Sequence, residues 1–315
     1  MSISSEPTPL HNAHAEFRDE LIQVGMLLPT GIDGLYGRGR EYERVMSGVQ
    51  RILSAAGREI HGDNVEVHRF PPIFPRASYE KTDYIASFPN LTGSINIFTG
   101  DDREHAALLA DRAAGEEWDG HLHPGETMLV SAACHPSYEL FYGKTLPSEG
   151  KVIDVGGYCF RHEPSIDPLR MQAFRMREFV TLGTPEQAMK HRAVWVEQGQ
   201  SVLAELNLES VPVPANDPFF GRAGKMLAHN QTAENLKTEL IVRLYGDLDD
   251  GTALMSGNYA QDHFGAPFNI TDGEGHVAHT ACVGIGADRI CLAAIRMNGT
   301  NIDSWPSKIR ARMGE

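Results

Sequence analysis

The sequence predicts an α+β fold, a mostly antiparallel sheet flanked by helices. Three observations carry that expectation. Strand-like runs recur from the middle of the chain onward: "TMLVSAAC", "KVIDVGGYCFRHE", "MQAFRMREFV", "LKTELIVRLYG" and "GTALMSGNYA". The connections between the first three are short, which favours antiparallel pairing. Two segments of helical period, 39–57 and 184–207, accompany the strands.

Each element has its own reason. Residues 1 to about 20 are polar and are expected to be flexible. "GREYERVMSGVQRILSAAG" places Tyr42, Val45, Met46, Val49, Ile52 and Leu53 at the spacing of an amphipathic helix. "VEVHRFPPIF" is extended and stops at Pro71-Pro72, where no ladder hydrogen bond can be donated. Thr184 as N-cap, Pro185 in the first turn and Gln187 three residues on start a helix whose buried stripe is Trp195, Val202, Leu203 and Leu206. Residues 207–236 read as irregular, with "VPVPANDPFFGRAGK" as an insertion. "TACVGIGADRICLAAIRMNG" reads as strand, glycine turn and helix. There is no internal repeat or low-complexity tract, and the 315 residues are read as one catalytic domain.

Composition narrows the partners. Lys plus Arg is 28 and Asp plus Glu is 42, a net charge of −14. Polynucleotide affinity comes from neutralising phosphates with basic side chains, so a wide nucleic-acid footprint is not expected. A small anion in a focused basic pocket still is. The N-terminus lacks the charged and apolar regions of a secretory signal, and no run approaches the roughly 18 apolar residues of a spanning helix. The four cysteines, Cys134, Cys159, Cys282 and Cys291, are scattered. They are expected as free thiols or metal ligands in the cytoplasm rather than as disulfides.

The stretch "FRHEPSIDPLRMQAFRMREFV", residues 160–180, concentrates positive charge in one hairpin of an acidic protein. Alternation puts Cys159, Arg161 and Glu163 on one face and Phe174, Met176 and Glu178 on the facing strand's matching side. If Glu163 pairs with Phe174, Arg161 falls opposite Met176 and Cys159 opposite Glu178. An aromatic plane, an arginine and a carboxylate would then span about 14 Å, suited to a flat base, a phosphate and a third group. The ordinary alternative is a solvated, charged hairpin.

"FRHE…RMQAFRMREFV" resembles motif 2 of the class II aminoacyl-tRNA synthetases, "GIGADR" with its apolar helix resembles motif 3, and the strand ending at Pro71-Pro72 resembles motif 1. The three occur in order over residues 60–300, most like seryl-tRNA synthetases. The resemblance implies that Arg161 holds the α-phosphate of ATP, Glu163 the adenine amino group, Phe174 the adenine face and Arg289 the γ-phosphate, with Arg170 and Met171 beside them. More softly it implies ATP or magnesium contacts at Lys237 and Glu239. It also implies that the strand with Ala253, Leu254, Met255, Ser256 and Asn258 lines the triphosphate and substrate. For these the alternative is an ordinary surface strand.

Where an ordinary seryl enzyme has a Thr-x-Glu substrate motif, this chain has "SAACHP". With Glu178 and Cys282, Cys134 then resembles the zinc set of the atypical archaeal seryl enzymes and a related bacterial group, in which zinc binds the substrate's amino group. Two thiolates and a carboxylate leave a fourth position open. Cys159 and Cys291 read as small buried hydrophobes. A rival chelate would come from His121 and His123, but histidines are common in loops.

About 60 residues precede the motif 1 strand, without the long basic arm of seryl-tRNA synthetases. This absence, the acidic charge and the cysteine-carboxylate set together resemble the bacterial amino acid:carrier-protein ligases. The resemblance implies a homodimer that uses ATP with Mg2+ and one zinc per chain. It activates a small amino acid, glycine first and alanine second, and loads it onto a phosphopantetheine thiol instead of tRNA. Residues 207–236 would then be where the carrier docks, with Arg222 and Lys225 as contacts, unless these are ordinary loop charges. Two alternatives stay open: a tRNA synthetase core with a separate tRNA-binding partner, and a non-catalytic sensor of amino acid or nucleotide.

Overall fold

The structure is a computed structural model that describes residues 7–63, 65–220, 229, 231 and 234–315. Seven strands make the central sheet. In spatial order they are β3 (Glu66–Arg69), β7 (Lys151–Phe160), β8 (Ala173–Gly183), β12 (His279–Gly286), β11 (Thr252–Gln261), β10 (Lys237–Val242) and β9 (Val211–Pro214). Among the described residues β3–β7 is the one parallel pair of this sheet; its other neighbours are antiparallel. A hairpin of β1 (Leu27–Ile32) and β2 (Leu35–Arg38) stands apart, as does a small sheet of β4 (Ile73–Pro75), β6 (His123–Leu129) and β5 (Ser94–Ile97).

The longer helices are α1 (Pro9–Gln23), α2 (Arg40–His61), α5 (Asp102–Ala114), α7 (Pro185–Ala204) and α8 (Ala287–Asn298). Short turns of helix complete the set: α3 (Arg76–Glu80), α4 (Tyr84–Ser87), α6 (His135–Tyr138) and α9 (Ser307–Met313). α7 begins as its sequence requires: the Thr184 hydroxyl accepts from Gln187 N while the Gln187 side chain accepts from Thr184 N.

Alternation divides the sheet into two faces. Phe179, Leu240, Met255, Val283 and Ile285 point toward α2, α7 and α8 and build one core with Tyr42, Val49, Trp195, Leu203 and Ile290. Ile153, Val155, Cys159, Val180 and Leu182 point the other way and pack with Met128, Cys134, Tyr138 and Phe268. The second face also carries Glu178, Cys282, Ser256 and Asn258, so it holds the polar chemistry.

Several expectations are corrected. Residues 9–20 are not an irregular start: they belong to α1, which buries Phe17 and Leu21 in a stripe too short to stand out among polar neighbours. "TMLV" falls in β6, but that strand joins the small sheet and does not pair with β7 or β8, and "SAAC" turns into α6. The 207–236 segment is not wholly irregular, since Val211–Pro214 pairs with β10 as an edge strand, where proline is tolerated. Arg222 and Lys225 lie outside the described residues.

The hairpin register also differs. Cys159 faces Phe174, Gly157 faces Met176 and Val155 faces Glu178. This is a slip of four residues from the expected pairing. An even slip leaves every side chain on its face, because the side-chain period is two, but it changes who meets whom. The strands end at Phe160 and Ala173, and Glu163 belongs to the loop.

Candidate active site

Glu178 and Cys282 meet because β8 and β12 are neighbours: Glu178 pairs with Gly284 and Cys282 with Val180, which makes the two side chains diagonal on one face. Cys134 arrives from elsewhere, at the turn leading into α6, and its backbone N donates to Glu178 Oε1 at 3.2 Å. The ligand atoms of Cys134, Glu178 and Cys282 all lie within 4.8 Å of one another. Cys134 and Glu178 are buried. Three acidic groups so close cannot all ionise without a cation. The Cys134 thiol is pushed well up by its contact with Cys282, by burial and by Glu178, and burial raises Glu178 as well. Asn258 Nδ2 donates to Cys282 Sγ at 3.6 Å and to Ser256 Oγ at 3.0 Å, which orients the thiol. The donor set, its closeness and its burial fit a zinc ion with an open fourth position. His121 is committed elsewhere, 2.6 Å from Asp111, and no metal-competent group among the described residues includes it or His123.

The arginines gather beside this cluster. Arg161 Nε donates to Ser131 O at 3.1 Å, and its guanidinium carbon sits 5.6 Å from the centre of the Phe174 ring. Burial works against its charge, but Tyr84, Cys159, Glu163 and Asp217 around it outweigh that and raise its pKa. Glu163 and Arg170 pair at 3.2 Å across the motif 2 loop. Arg289, in the first turn of α8, donates from Nε to Leu169 O at 3.0 Å and from Nη1 to Ala253 O at 3.2 Å. Burial and the nearby Arg170 and Arg161 lower its pKa, which marks a place where cations repel one another and an anion would be welcome.

Not every expected residue faces this site. Ser256 and Asn258 do. Leu254, Met255 and Met171 are buried in the helix-side core, so Leu254 and Met255 can line a ligand only through their backbone. Lys237 is not a free cation, because Asp217 at 2.5 Å and Glu239 at 3.0 Å hold it. Asp217 was missed by the sequence reading. It lies in the segment read as an insertion, with Phe219 stacked on Phe88 at 5.2 Å, and nothing local marks it as a partner for Lys237. Buried His135, next to Cys134, was also missed; burial first, then Arg161 and His263, drive its pKa down to about 3.

The comparisons agree with this geometry. No family model matches the chain. Amino acid–(acyl-carrier-protein) ligase 1 of Bradyrhizobium diazoefficiens is 39% identical over 285 residues, 90% of this chain and 86% of that protein. Ligase 2 of the same organism is 40% identical over 90% of this chain and 84% of its own length. The chain belongs to the amino acid–acyl-carrier-protein ligases. As a member of that family it is an enzyme of the ligase class. Type-2 serine–tRNA ligase of Methanopyrus kandleri is more distant, 27% identical over 66% of this chain and 41% of its own. In solved structures the fold matches M. kandleri SerRS in complex with A. aeolicus tRNASec, with TM-score 0.78 and 21% identity over 94% of this chain and 60% of that one. Giardia lamblia prolyl-tRNA synthetase in complex with prolyl-adenylate matches with TM-score 0.67 over 92% of this chain and 54% of its own. The class II synthetase fold of the ligase is thereby established.

Proposed function

We propose that this ligase activates glycine, and alanine second, with ATP and Mg2+ to an aminoacyl-adenylate, then transfers the aminoacyl group to the phosphopantetheine thiol of a carrier protein. The observation that carries the reading is the convergence of Cys134, Glu178 and Cys282 on the same sheet face as Phe174, beside Arg161. A zinc ion on the three ligands would supply an electrophilic seat for the substrate's amino group. Arg161 would steady the α-phosphate as the carboxylate attacks, with the adenine against Phe174 and its amino group at Glu163. Arg289 would take the γ-phosphate. Such chemistry needs positioning and charge stabilisation more than covalent help.

The preference for a small amino acid is supported by Gly284. A Cβ built there would lie 3.3 Å from Ser256 Oγ and 4.0 Å from Asn258 Nδ2, so the glycine leaves about a methyl's width beside Cys282. Carrier contact through the segment after β9, including Arg222 and Lys225, suits the net charge of −14, which leaves little surface for tRNA phosphates. A homodimer suits the exposed Val67 on the edge strand β3. No helix among the described residues is long and apolar enough to cross a membrane, in keeping with action in the cytoplasm.

The decisive experiment has two arms. ATP–pyrophosphate exchange across the twenty amino acids should single out glycine and alanine. Labelled glycine with ATP should then appear as a hydroxylamine-sensitive thioester on holo-carrier, and not on apo-carrier or total tRNA. Label on tRNA at the rate of adenylate formation would place the protein with the synthetases; exchange with no amino acid would make it a sensor.

A further inference from the structure

Phe174 is gripped at the backbone from both sides. Before it, Arg38 Nη2 donates to Ala173 O at 2.7 Å; after it, Arg175 N donates to Asp288 Oδ2 at 2.5 Å. The two grips are joined. Asp288 also accepts from Arg38 Nε and Nη2, both at 3.3 Å, from Arg175 Nη2 at 3.0 Å and from Tyr42 Oη at 2.7 Å. Asp288 is 1% exposed, and although burial favours its neutral form, Arg38 and Arg175 keep its pKa below the ordinary value. A buried carboxylate held by two arginines is weak evidence for net stability, and its several directed bonds suit it to holding a geometry.

The same carboxylate stands one residue before Arg289, in the first turn of α8, and Arg289 reaches back to Leu169 O of the motif 2 loop. Arg38 ends β2, and the β1–β2 hairpin also holds the end of that loop: Gln172 N donates to Gly34 O at 2.7 Å and Gln172 Nε2 to Asp33 O at 2.8 Å. One N-terminal hairpin thus braces the loop, the strand carrying Phe174 and the helix carrying Arg289.

We propose that Arg38 and Asp288 are positioning residues for ATP, fixing the backbone on both sides of Phe174 and its separation from Arg289. This rests on the assignment of Phe174 to adenine and Arg289 to the γ-phosphate. Arg38 and Asp288 share no hydrogen bond with Cys134, Glu178 or Cys282 among those described, so the amino-acid pocket does not depend on them directly.

The test compares Arg38→Ala, Arg38→Lys, Asp288→Asn and Phe174→Ala with the parent chain in ATP–pyrophosphate exchange with glycine. Arg38→Ala should raise KM for ATP about tenfold, the scale of one lost charge-assisted hydrogen bond, while KM for glycine and metal content stay within about twofold. Arg38→Lys should recover only part of the loss, because one ammonium cannot span both the carbonyl and the carboxylate. Asp288→Asn keeps the side-chain shape and reads the same split if Arg38→Ala does not fold. Equal rises in both KM values would reduce the clamp to a structural brace. An unchanged KM for ATP in Arg38→Ala and Asp288→Asn, with a raised one in Phe174→Ala, would overturn the clamp alone. An unchanged KM for ATP in Phe174→Ala would overturn the adenine assignment and remove the clamp's purpose with it.

Discussion

The two faces of the central sheet are built from the same strands and do opposite work. Toward α2, α7 and α8 the sheet presents Phe179, Val283 and Ile285, His191 Nε2 donates to Phe179 O, and His61 stacks on His191 and receives the Trp195 indole N–H at 2.8 Å; the charge on this side is paired within the protein, Arg177 with Asp154 and Asp288 with Arg38 and Arg175. Toward the site, adjacent residues on the same strands present Glu178 and Cys282. One face is held by burial of apolar area, and its charges are paired with opposite charges. The other gathers charge that its own protein groups do not fully compensate. A sheet with a sealed face can carry a costly one, because the sealed face fixes the strands that aim the ligands.

The largest way to break this contrast is at the metal set. Cys282→Ala should abolish zinc binding and lower glycine-dependent exchange by about 10³-fold or more, the rate equivalent of several kcal/mol. Metal analysis beside kinetics checks it, and full zinc occupancy in both Cys282→Ala and Cys134→Ala would sink the site. Next comes Arg161→Ala, which on the proposed reading would remove a charged donor from the reacting phosphate and should cost roughly 10²-fold in exchange while leaving zinc content intact. Near-parental exchange in that variant would detach motif 2 from the chemistry.

The helix-side face should respond to pH instead. Burial lowers the His191 pKa to about 4, with a smaller upward pull from its bond to Phe179 O. An unfolded chain protonates this imidazole near pH 6.5, so the unfolded state takes up the proton first as pH falls. The stability due to neutral His191 is therefore full above about pH 6.5 and is lost as pH falls toward 4. Between pH 7.5 and 4.5 the loss should be about 2.5 kcal/mol. Urea unfolding of wild type and His191→Gln at both pH values measures it as the difference between their two losses; equal losses would show that His191 does not titrate with unfolding.

The smallest effect expected is on selectivity. Gly284→Ala should place a methyl 3.3 Å from Ser256 Oγ and cut kcat/KM for alanine relative to glycine by about tenfold, the usual scale for one methyl group in a tight pocket. An unchanged ratio would mean that the substrate's side chain points elsewhere.

Much of the molecule was legible as sequence, and for definite reasons. The stripe from Tyr42 to Leu53 and the Thr184–Gln187 cap are local patterns, and both formed as read. The order of the three motifs carried the fold, and alternation alone placed Phe174, Met176 and Glu178 on one face. Alternation says nothing about register, however, since a slip of four residues preserves every face. Only the folded hairpin moved Cys159 opposite Phe174 and left Arg161 and Glu163 beyond the strand end.

Pairings between distant residues were likewise decided in three dimensions. Asp217 with Lys237, and Arg38 with Asp288 across 250 residues, follow from how loops and strands pack, and no spacing encodes them. The amino-acid sequence by itself determined which side chains were on hand, which strongly patterned segments became helix or strand, and which face of the hairpin strands a side chain took. These depend on local periods and caps. The tertiary structure alone decided that Cys134 meets Glu178 and Cys282, and that Phe174 is braced from an N-terminal hairpin. Those meetings require one register and one packing among the many that the same periods allow.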